Sequence, residues 1–152
     1  MKIRLLLLSL LFSLVSASAL QAQPKPEKEE GEEETELGDK MDRMGGAFRK
    51  LKRQAADASK NEESLKLVAT IRESAEASTH LEPARKADIP ADAQAKFVTD
   101  YQAKMKETLA VIDELAAAFK AGNNEEAGKL IAKLGEAQKA GHKEFKRPSK
   151  KK

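Results

Sequence analysis

Cysteine and tryptophan are absent from this 152-residue sequence, and its aromatic residues are five phenylalanines and one tyrosine. The absence of cysteine excludes disulfides, thiolate metal sites, a cysteine nucleophile and any cofactor attached through a thioether bond. Long runs of Val, Ile, Thr and aromatic residues are also missing, which argues against a β-sandwich. No phosphate-binding loop, nucleophile or acid/base pair is recognisable, so the sequence does not predict an enzyme.

The composition favours helices. Hydrophobic residues make up 40% of the chain and charged residues 35%, and the abundant Ala, Lys, Glu and Leu are strong helix formers. Lysines alternate with acidic residues over most of the chain, a pattern typical of solvated helix faces. The net charge of +3 gives no electrostatic case for binding nucleic acid.

The first 22 residues have the features of a secretory signal peptide. A basic start at residues 1–4 precedes an apolar stretch at residues 5–15 and a small-residue cleavage site ending at Ala19 or Ala22. Cleavage removes two positive charges and lowers the net charge from +3 to about +1. The apolar stretch is too short for a stable membrane span. We therefore expect a periplasmic protein with no stable membrane insertion after cleavage.

Three segments follow the leader. Residues 23–36 contain two prolines, one glycine and a run of glutamates, with too few apolar residues to fold alone, so we expect a disordered acidic linker there. Residues 37–147 have helical periodicity, and residues 148–152 form a basic tail. The length allows one folded domain, and we expect a monomer.

Apolar residues recur at intervals of three and four along four stretches of residues 37–147. Helix one is expected to carry Leu37, Met41, Met44, Phe48, Leu51, Ala55 and Ala58 on its buried side. Helix two is expected to carry Leu65, Val68, Ile71 and Ala75. Helix three is expected to carry Phe97, Tyr101, Met105, Thr108, Ile112, Leu115 and Phe119. Helix four is expected to carry Ala127, Leu130, Ile131, Leu134, Ala137, Gly141 and Phe145.

Capping residues delimit these helices. Helix one is expected to begin between Thr35 and Asp39, and Asn61 is the expected N-cap of helix two. Gly122 suits the end of helix three, and the next asparagine or the one after it suits the start of helix four. Two short links and a longer one at residues 80–91 predict an all-α, antiparallel, up-down-up-down four-helix bundle.

In this topology Met41 in helix one and His142 in helix four lie at the same end of neighbouring helices. A thioether and an imidazole are a known pair of axial ligands to haem iron. Zinc fits less well, because the chain has only two histidines, and the Glu-x-x-His pairs of di-iron bundles are absent. Each residue also has an ordinary interpretation, since Met41 or Met44 can fill a helix seam and His142 can be a helix-end histidine. His80, in the long link, is expected to have no special role.

The segments around these residues resemble the cytochrome b562 family. The similarity includes Leu37-Gly-Asp-Lys-Met41-Asp-Arg-Met44 and, from Ile112 onward, Ile-Asp-Glu-Leu, Lys-Ala-Gly-Asn, Glu-Ala and His142-Lys-Glu-Phe-Lys-Arg. The resemblance covers roughly residues 37–147. It implies a four-helix bundle that carries electrons through a non-covalent b-type haem, with Met41 and His142 as the iron ligands.

Three positions depart from the family pattern. Tyr101 and Met105 stand where the family has two phenylalanines lining the haem, which leaves the pocket apolar but alters its contacts. Gln138 stands where the family has arginine, or cysteine in members with covalent haem. The resemblance implies that the cofactor-binding residues besides the two ligands are Met44, Phe48, Tyr101, Met105 and Phe145.

The function expected from the resemblance is single-electron transfer to redox partner proteins of the periplasm. Two alternatives remain open at the level of sequence. One is an exported helical bundle without haem, which would act as a binding or envelope-stress adaptor. The other is a five-coordinate haem sensor of small gases, if the methionine does not bind the iron.

Overall fold

The computed structural model describes residues 35–148. The predicted leader, the acidic segment before Thr35 and the basic tail after Pro148 lie outside the described residues. Within residues 35–148 all regular secondary structure is helical. The four α-helices are α1 (Glu36–Gln54), α2 (Asn61–Ser78), α3 (Gln94–Lys120) and α4 (Asn124–Phe145), and two 3-10 helices lie in the links, at Ala58–Lys60 and Ala84–Asp88.

Side chains and one glycine define the ends of α1, α3 and α4. The Thr35 hydroxyl accepts a hydrogen bond from the Gly38 backbone N–H at 3.0 Å and caps the start of α1. Asn123 caps α4 in the same way, by accepting from the N–H of Glu126 at 3.0 Å. Gly122 has φ 70°, a left-handed conformation that glycine adopts without steric cost. These positions agree with the caps expected from the sequence.

The start of α2 differs from the prediction. Asn61 is the first residue of α2 and not its N-cap, and the preceding Lys60 makes no side-chain cap. The turn is instead organised upstream, where the Asp57 carboxylate accepts hydrogen bonds from the backbone N–H and the hydroxyl of Ser59. This leaves the Asn61 amide free to bond to Asn124 at the start of α4.

Hydrogen bonds between helices give the direction of each neighbour. Near one end of the bundle Gln54 of α1 bonds to Ser64 of α2, and near the other Arg43 of α1 bonds to Glu73 of α2. The contact that comes later along α1 comes earlier along α2, so α1 and α2 are antiparallel. Equivalent contacts orient α3 against α2 (Arg72–Asp113 and Ser78–Tyr101) and α4 against α3 (Phe97–Phe145).

The core contains nearly all the apolar residues expected there. Its largest fully buried side chains include Phe119, Leu51, Ile112 and Leu115. The prediction of burial is wrong at two positions, because Ala58 and Ala137 are exposed. Ala58 lies in the turn after α1 has ended, and Ala137 is rotated about 60° away from Leu134 around α4. The remaining expected positions are buried or half-buried.

Close backbone packing joins α1 to α2, α2 to α3 and α3 to α4, whereas the backbones of α1 and α4 lie farther apart. None of the helices within residues 35–148 combines the length and the hydropathy needed to cross a membrane. The looser pair, α1 and α4, carries Met41 and His142.

Candidate functional site

One end of the α1–α4 pair is closed by an asparagine pair. The Asn124 amide nitrogen, at the start of α4, donates to the Ala55 carbonyl oxygen at the end of α1 at 2.7 Å and to the Asn61 side-chain oxygen at 2.8 Å. The Asn61 amide donates back to Asn124 at 3.1 Å. The side of α4 on which Asn124 lies therefore faces the end of α1 and the start of α2.

His142 lies on that same side of α4, at the opposite end. It follows Asn124 by 18 residues, which is five full turns at 3.6 residues per turn, or about 27 Å along the axis. Its side chain is exposed, and the imidazole makes no hydrogen bond or ion pair with any residue in the described part of the chain. The two ring nitrogens of His142 are therefore free to bind a ligand.

Met41 and Met44 lie on the same side of α1 as its C-cap Ala55, whose backbone carbonyl oxygen accepts from Asn124. They precede Ala55 by 14 and 11 residues, rotations that bring both within about 40° of Ala55 around the helix. Measured from the level of Ala55, Met41 is about 21 Å and Met44 about 16 Å along the axis. Both side chains are half-buried and pack against the core. Met41 is closer than Met44 to the level of His142.

Aromatic side chains of α3 and α4 pack together in the core near this end of the bundle. The Phe145 ring, 6% exposed, lies 5.3 Å from the Phe97 ring and 5.4 Å from the Tyr101 ring between centroids. Met105 is buried one turn after Tyr101, at 7% exposed. Phe48 is buried in α1, two turns after Met41, and the Lys52 ammonium lies 4.9 Å from its ring centroid. The structure thus brings the expected apolar residues into one cluster.

Tyr101 could bind iron through its oxygen, but the phenol is already used. Its hydroxyl donates to the Ser78 carbonyl oxygen at 3.1 Å, in the last turn of α2. Burial raises the pKa of the Tyr101 phenol above its ordinary value of 10, so the group stays protonated at neutral pH. Tyr101 therefore contributes its ring to the apolar cluster, as a phenylalanine would.

The donor set fits a flat, apolar cofactor with a metal centre better than a bare metal ion. A thioether on α1 and an imidazole on α4 lie near the same end of the bundle as an apolar cluster, a combination that suits haem iron. Among residues 35–148 no group of three or more His, Cys, Asp and Glu side chains is placed to hold a metal ion. A shallow recess also adjoins His142, but it opens outward over the end of α4, and its lining is His142, Lys143, Lys146, Arg147 and Pro148.

The sequence did not reveal how the end of α4 is held. Arg85, in the link between α2 and α3, donates to two backbone carbonyl groups in the last turn of α4. Arginine in a link has no periodicity or motif that would predict its partner 58 residues away. Gln138, at the position where the resemblance implies arginine, is half-buried in α4.

Comparison with known protein families matches residues 36–146 to the family described as Cytochrome b562. Comparisons with curated proteins and with solved structures give no significant match. The matched region runs from the first residue of α1 to the residue after α4, so it includes all four helices. The chain therefore belongs to the cytochrome b562 family of haem-binding, electron-carrying helical bundles.

Proposed function

We propose that this protein is an exported single-electron carrier that binds one b-type haem non-covalently between α1 and α4, with Met41 and His142 as the axial ligands of the iron. Family membership supports a haem-binding electron carrier. The absence of cysteine excludes thioether attachment of the haem. The observation that supports the ligand assignment is the five-turn spacing between Asn124 and His142, because it puts His142 on the side of α4 that contacts the end of α1 through Asn124.

Ligation by two residues would explain why electron transfer is the activity to expect. Met41 and His142 would both hold the iron, which would leave no open position for a substrate or a gas. A bound haem supplies an iron that accepts and releases one electron. The choice of a thioether as one ligand favours a higher reduction potential than two stronger donors would give.

The neighbouring side chains would exclude water from the cofactor. We assign this role to Met44, Phe48, Tyr101, Met105 and Phe145, of which all but Met44 are buried and Met44 is half-buried. An apolar shell controls solvent access and the local dielectric, which set the reduction potential of a metal centre. Tyr101 serves this role through its ring, since its hydroxyl is bonded to Ser78.

The test is the visible spectrum of the mature protein after addition of haemin, in oxidised and dithionite-reduced forms. Sharp reduced α and β bands with near-stoichiometric uptake support the proposal if both Met41→Ala and His142→Ala abolish them. His80→Ala is the matched control, because His80 is exposed and lies in the link after α2. Loss with His142→Ala alone overturns the Met41 assignment and leaves Met44 as ligand or a five-coordinate sensor. Weak, unsaturable binding overturns the cytochrome assignment and leaves a bundle without haem.

We further propose that residues 1–22 export the chain to the periplasm, where it exchanges electrons with redox partner proteins as a monomer. The basic start, apolar stretch and small-residue cleavage site support export. The mass of the protein recovered from a periplasmic extract tests this proposal. Cleavage after Ala19 or Ala22 gives a correspondingly shortened chain, whereas a full-length chain confined to the cytoplasm overturns it.

A further inference from the structure

The link between α2 and α3 is bonded to the last turn of α4, the turn that carries His142. The Arg85 Nη1 donates to the backbone carbonyl oxygens of Lys143 at 2.9 Å and Glu144 at 2.6 Å. The carbonyl oxygen of His142 itself accepts from the Lys146 N–H at 3.1 Å. Three consecutive carbonyl groups at the end of α4 therefore have donors.

A second arginine returns from the end of α4 to the same link. Arg147 donates through Nε to the Asp88 carboxylate at 2.9 Å and through Nη2 to the Ala84 carbonyl oxygen at 2.9 Å. We call the set of Arg85, Asp88 and Arg147 the C-terminal strap. Arg85 extends from the link to α4, and Arg147 extends from the end of α4 to the link. Two separate sets of contacts therefore join the link to the end of α4.

The Arg85 contact is the stronger half of the strap. The last four carbonyl groups of a helix lack partners within the helix, and a cation is favourable at that end of the helix dipole. Arg85 donates from its charged guanidinium to two such carbonyl groups at once, and Arg85 is half-buried. The Arg147 and Asp88 side chains are 42% and 50% exposed, and ion pairs at such exposure contribute little.

We propose that Arg85 is a positioning residue for the His142 imidazole. This inference rests on the proposed function, in which His142 binds the iron. By fixing the carbonyl groups that directly follow His142, the strap sets the backbone of the ligand turn when the protein folds. The free energy needed to order that turn is then spent on folding and does not reduce the affinity for haem. A ligand that is already oriented holds the metal more tightly.

The strap also makes the two sides of the site different. The His142 turn is anchored on the link between α2 and α3, which belongs to neither α1 nor α4. The Met41 turn does not depend on the strap, because Met41 and Met44 pack against the core and Arg43 of α1 bonds to Glu73 of α2 at 3.0 Å. Loss of Arg85 should therefore loosen the histidine side of the site and leave the methionine side in place.

The experiment compares Arg85→Gln with Lys143→Gln in the mature, haem-loaded protein. Both variants remove one positive charge close to the end of α4, from the link in Arg85→Gln and from α4 itself in Lys143→Gln, but Lys143 is exposed and makes no side-chain bond to a described residue. The measurements are the rate of haem loss to excess apomyoglobin and the low-spin fraction in the oxidised spectrum. Arg85→Gln should weaken haem binding on the order of tenfold and lower the low-spin fraction, since outer-shell contacts typically have effects of this size. Lys143→Gln should match the wild type.

Two further variants separate positioning from charge and from folding. Arg85→Lys keeps the charge but not the planar guanidinium, so its rate of haem loss should lie between those of wild type and Arg85→Gln. Asp88→Asn weakens the other half of the strap and should change the rate in the same direction by less. If Arg85→Gln does not fold, the Arg85→Lys and Asp88→Asn results carry the test.

Three outcomes overturn the inference. Wild-type haem loss and spectrum in Arg85→Gln would show that the turn needs no strap. Equal effects of Arg85→Gln and Lys143→Gln would show that only charge matters. Equal affinity and spectrum in wild type, Arg85→Lys and Asp88→Asn would exclude a role for the strap geometry. If the wild type itself binds no haem with a low-spin spectrum, the proposed function fails, and this result is distinct from the other three.

Discussion

The Tyr101 hydroxyl donates a hydrogen bond to the Ser78 carbonyl oxygen at 3.1 Å, which joins the second turn of α3 to the last turn of α2. Tyr101 is 3% exposed, so this bond is made away from water. The bond accounts for a tyrosine at a position where the family resemblance implies phenylalanine. The added oxygen has a partner on α2 and does not enter the apolar cluster unpaired.

We predict that Tyr101→Phe destabilises the protein by about 1 kcal/mol, the typical net contribution of one hydrogen bond. The cost stays small because Ser78 also accepts from the Leu81 N–H at 3.3 Å and so keeps one partner. Urea unfolding of the haem-free protein measures the change. The reduced spectrum of the haem-loaded variant should equal that of wild type, and an altered spectrum would mean that the phenol does contact the cofactor.

The raised pKa of Tyr101 predicts an alkaline loss of stability. The folded protein keeps the phenol proton above pH 10, whereas the unfolded chain releases it near the ordinary pKa of 10. The unfolded state then binds fewer protons than the native state, so the free energy of unfolding falls as pH rises above 10 and is unaffected below it. Denaturation of wild type and Tyr101→Phe between pH 7 and pH 11 checks this. The wild type should lose more stability than the variant, and parallel curves would contradict the prediction.

Much of this fold follows from local sequence. The three-four spacing of residues such as Leu51, Ile112 and Leu115 places them in the core, and Gly122 marks the turn between α3 and α4. These features depend on periodicity and on conformations available to single residues. The spacing also predicts that Met41 and His142 lie at one end of the bundle, because antiparallel helices of known length fix which ends meet.

Contacts between segments far apart in sequence could not be predicted in this way. The Asn61–Asn124 pair joins residues 63 positions apart, and the sequence suggested a cap for Asn61 because a local partner was the simplest one. The partners of Arg85 are likewise set by how the link between α2 and α3 folds over α4. The hydrogen bonds of Asn61, Asn124 and Arg85 depend on tertiary packing, which helical periodicity does not predict.

The asparagine pair at the closed end of the bundle should behave as one unit. Asn124→Ala removes three hydrogen bonds and Asn61→Ala removes two, and we expect each to destabilise the protein by about 1–3 kcal/mol. The double variant should cost less than the sum, with a coupling energy of about 0.5–3 kcal/mol, because the residues share two bonds. Thermal or urea unfolding of the four proteins in this cycle gives the coupling. Strictly additive effects would mean that the two amides do not interact.

Two buried serines of α2 offer a matched pair for the cost of an unpaired hydroxyl. Ser64 is 0% exposed and Ser74 is 1% exposed. The Ser64 hydroxyl accepts from the Gln54 Nε2 at 3.1 Å, whereas the Ser74 hydroxyl oxygen has no hydrogen-bond partner within residues 35–148. Both substitutions by alanine gain the same helix propensity, a few tenths of a kcal/mol, so the difference between them isolates the hydrogen bond.

We predict opposite signs for these two substitutions. Ser74→Ala should stabilise the haem-free protein by about 1 kcal/mol or more, because it removes a buried polar group that no bond compensates. Ser64→Ala should destabilise it by a similar amount, since it leaves the half-buried Gln54 amide without its acceptor. Urea unfolding measures both. Stabilisation by neither variant would mean that the Ser74 hydroxyl finds a partner, such as a buried water, and haem-loaded samples would then show whether the cofactor changes that balance.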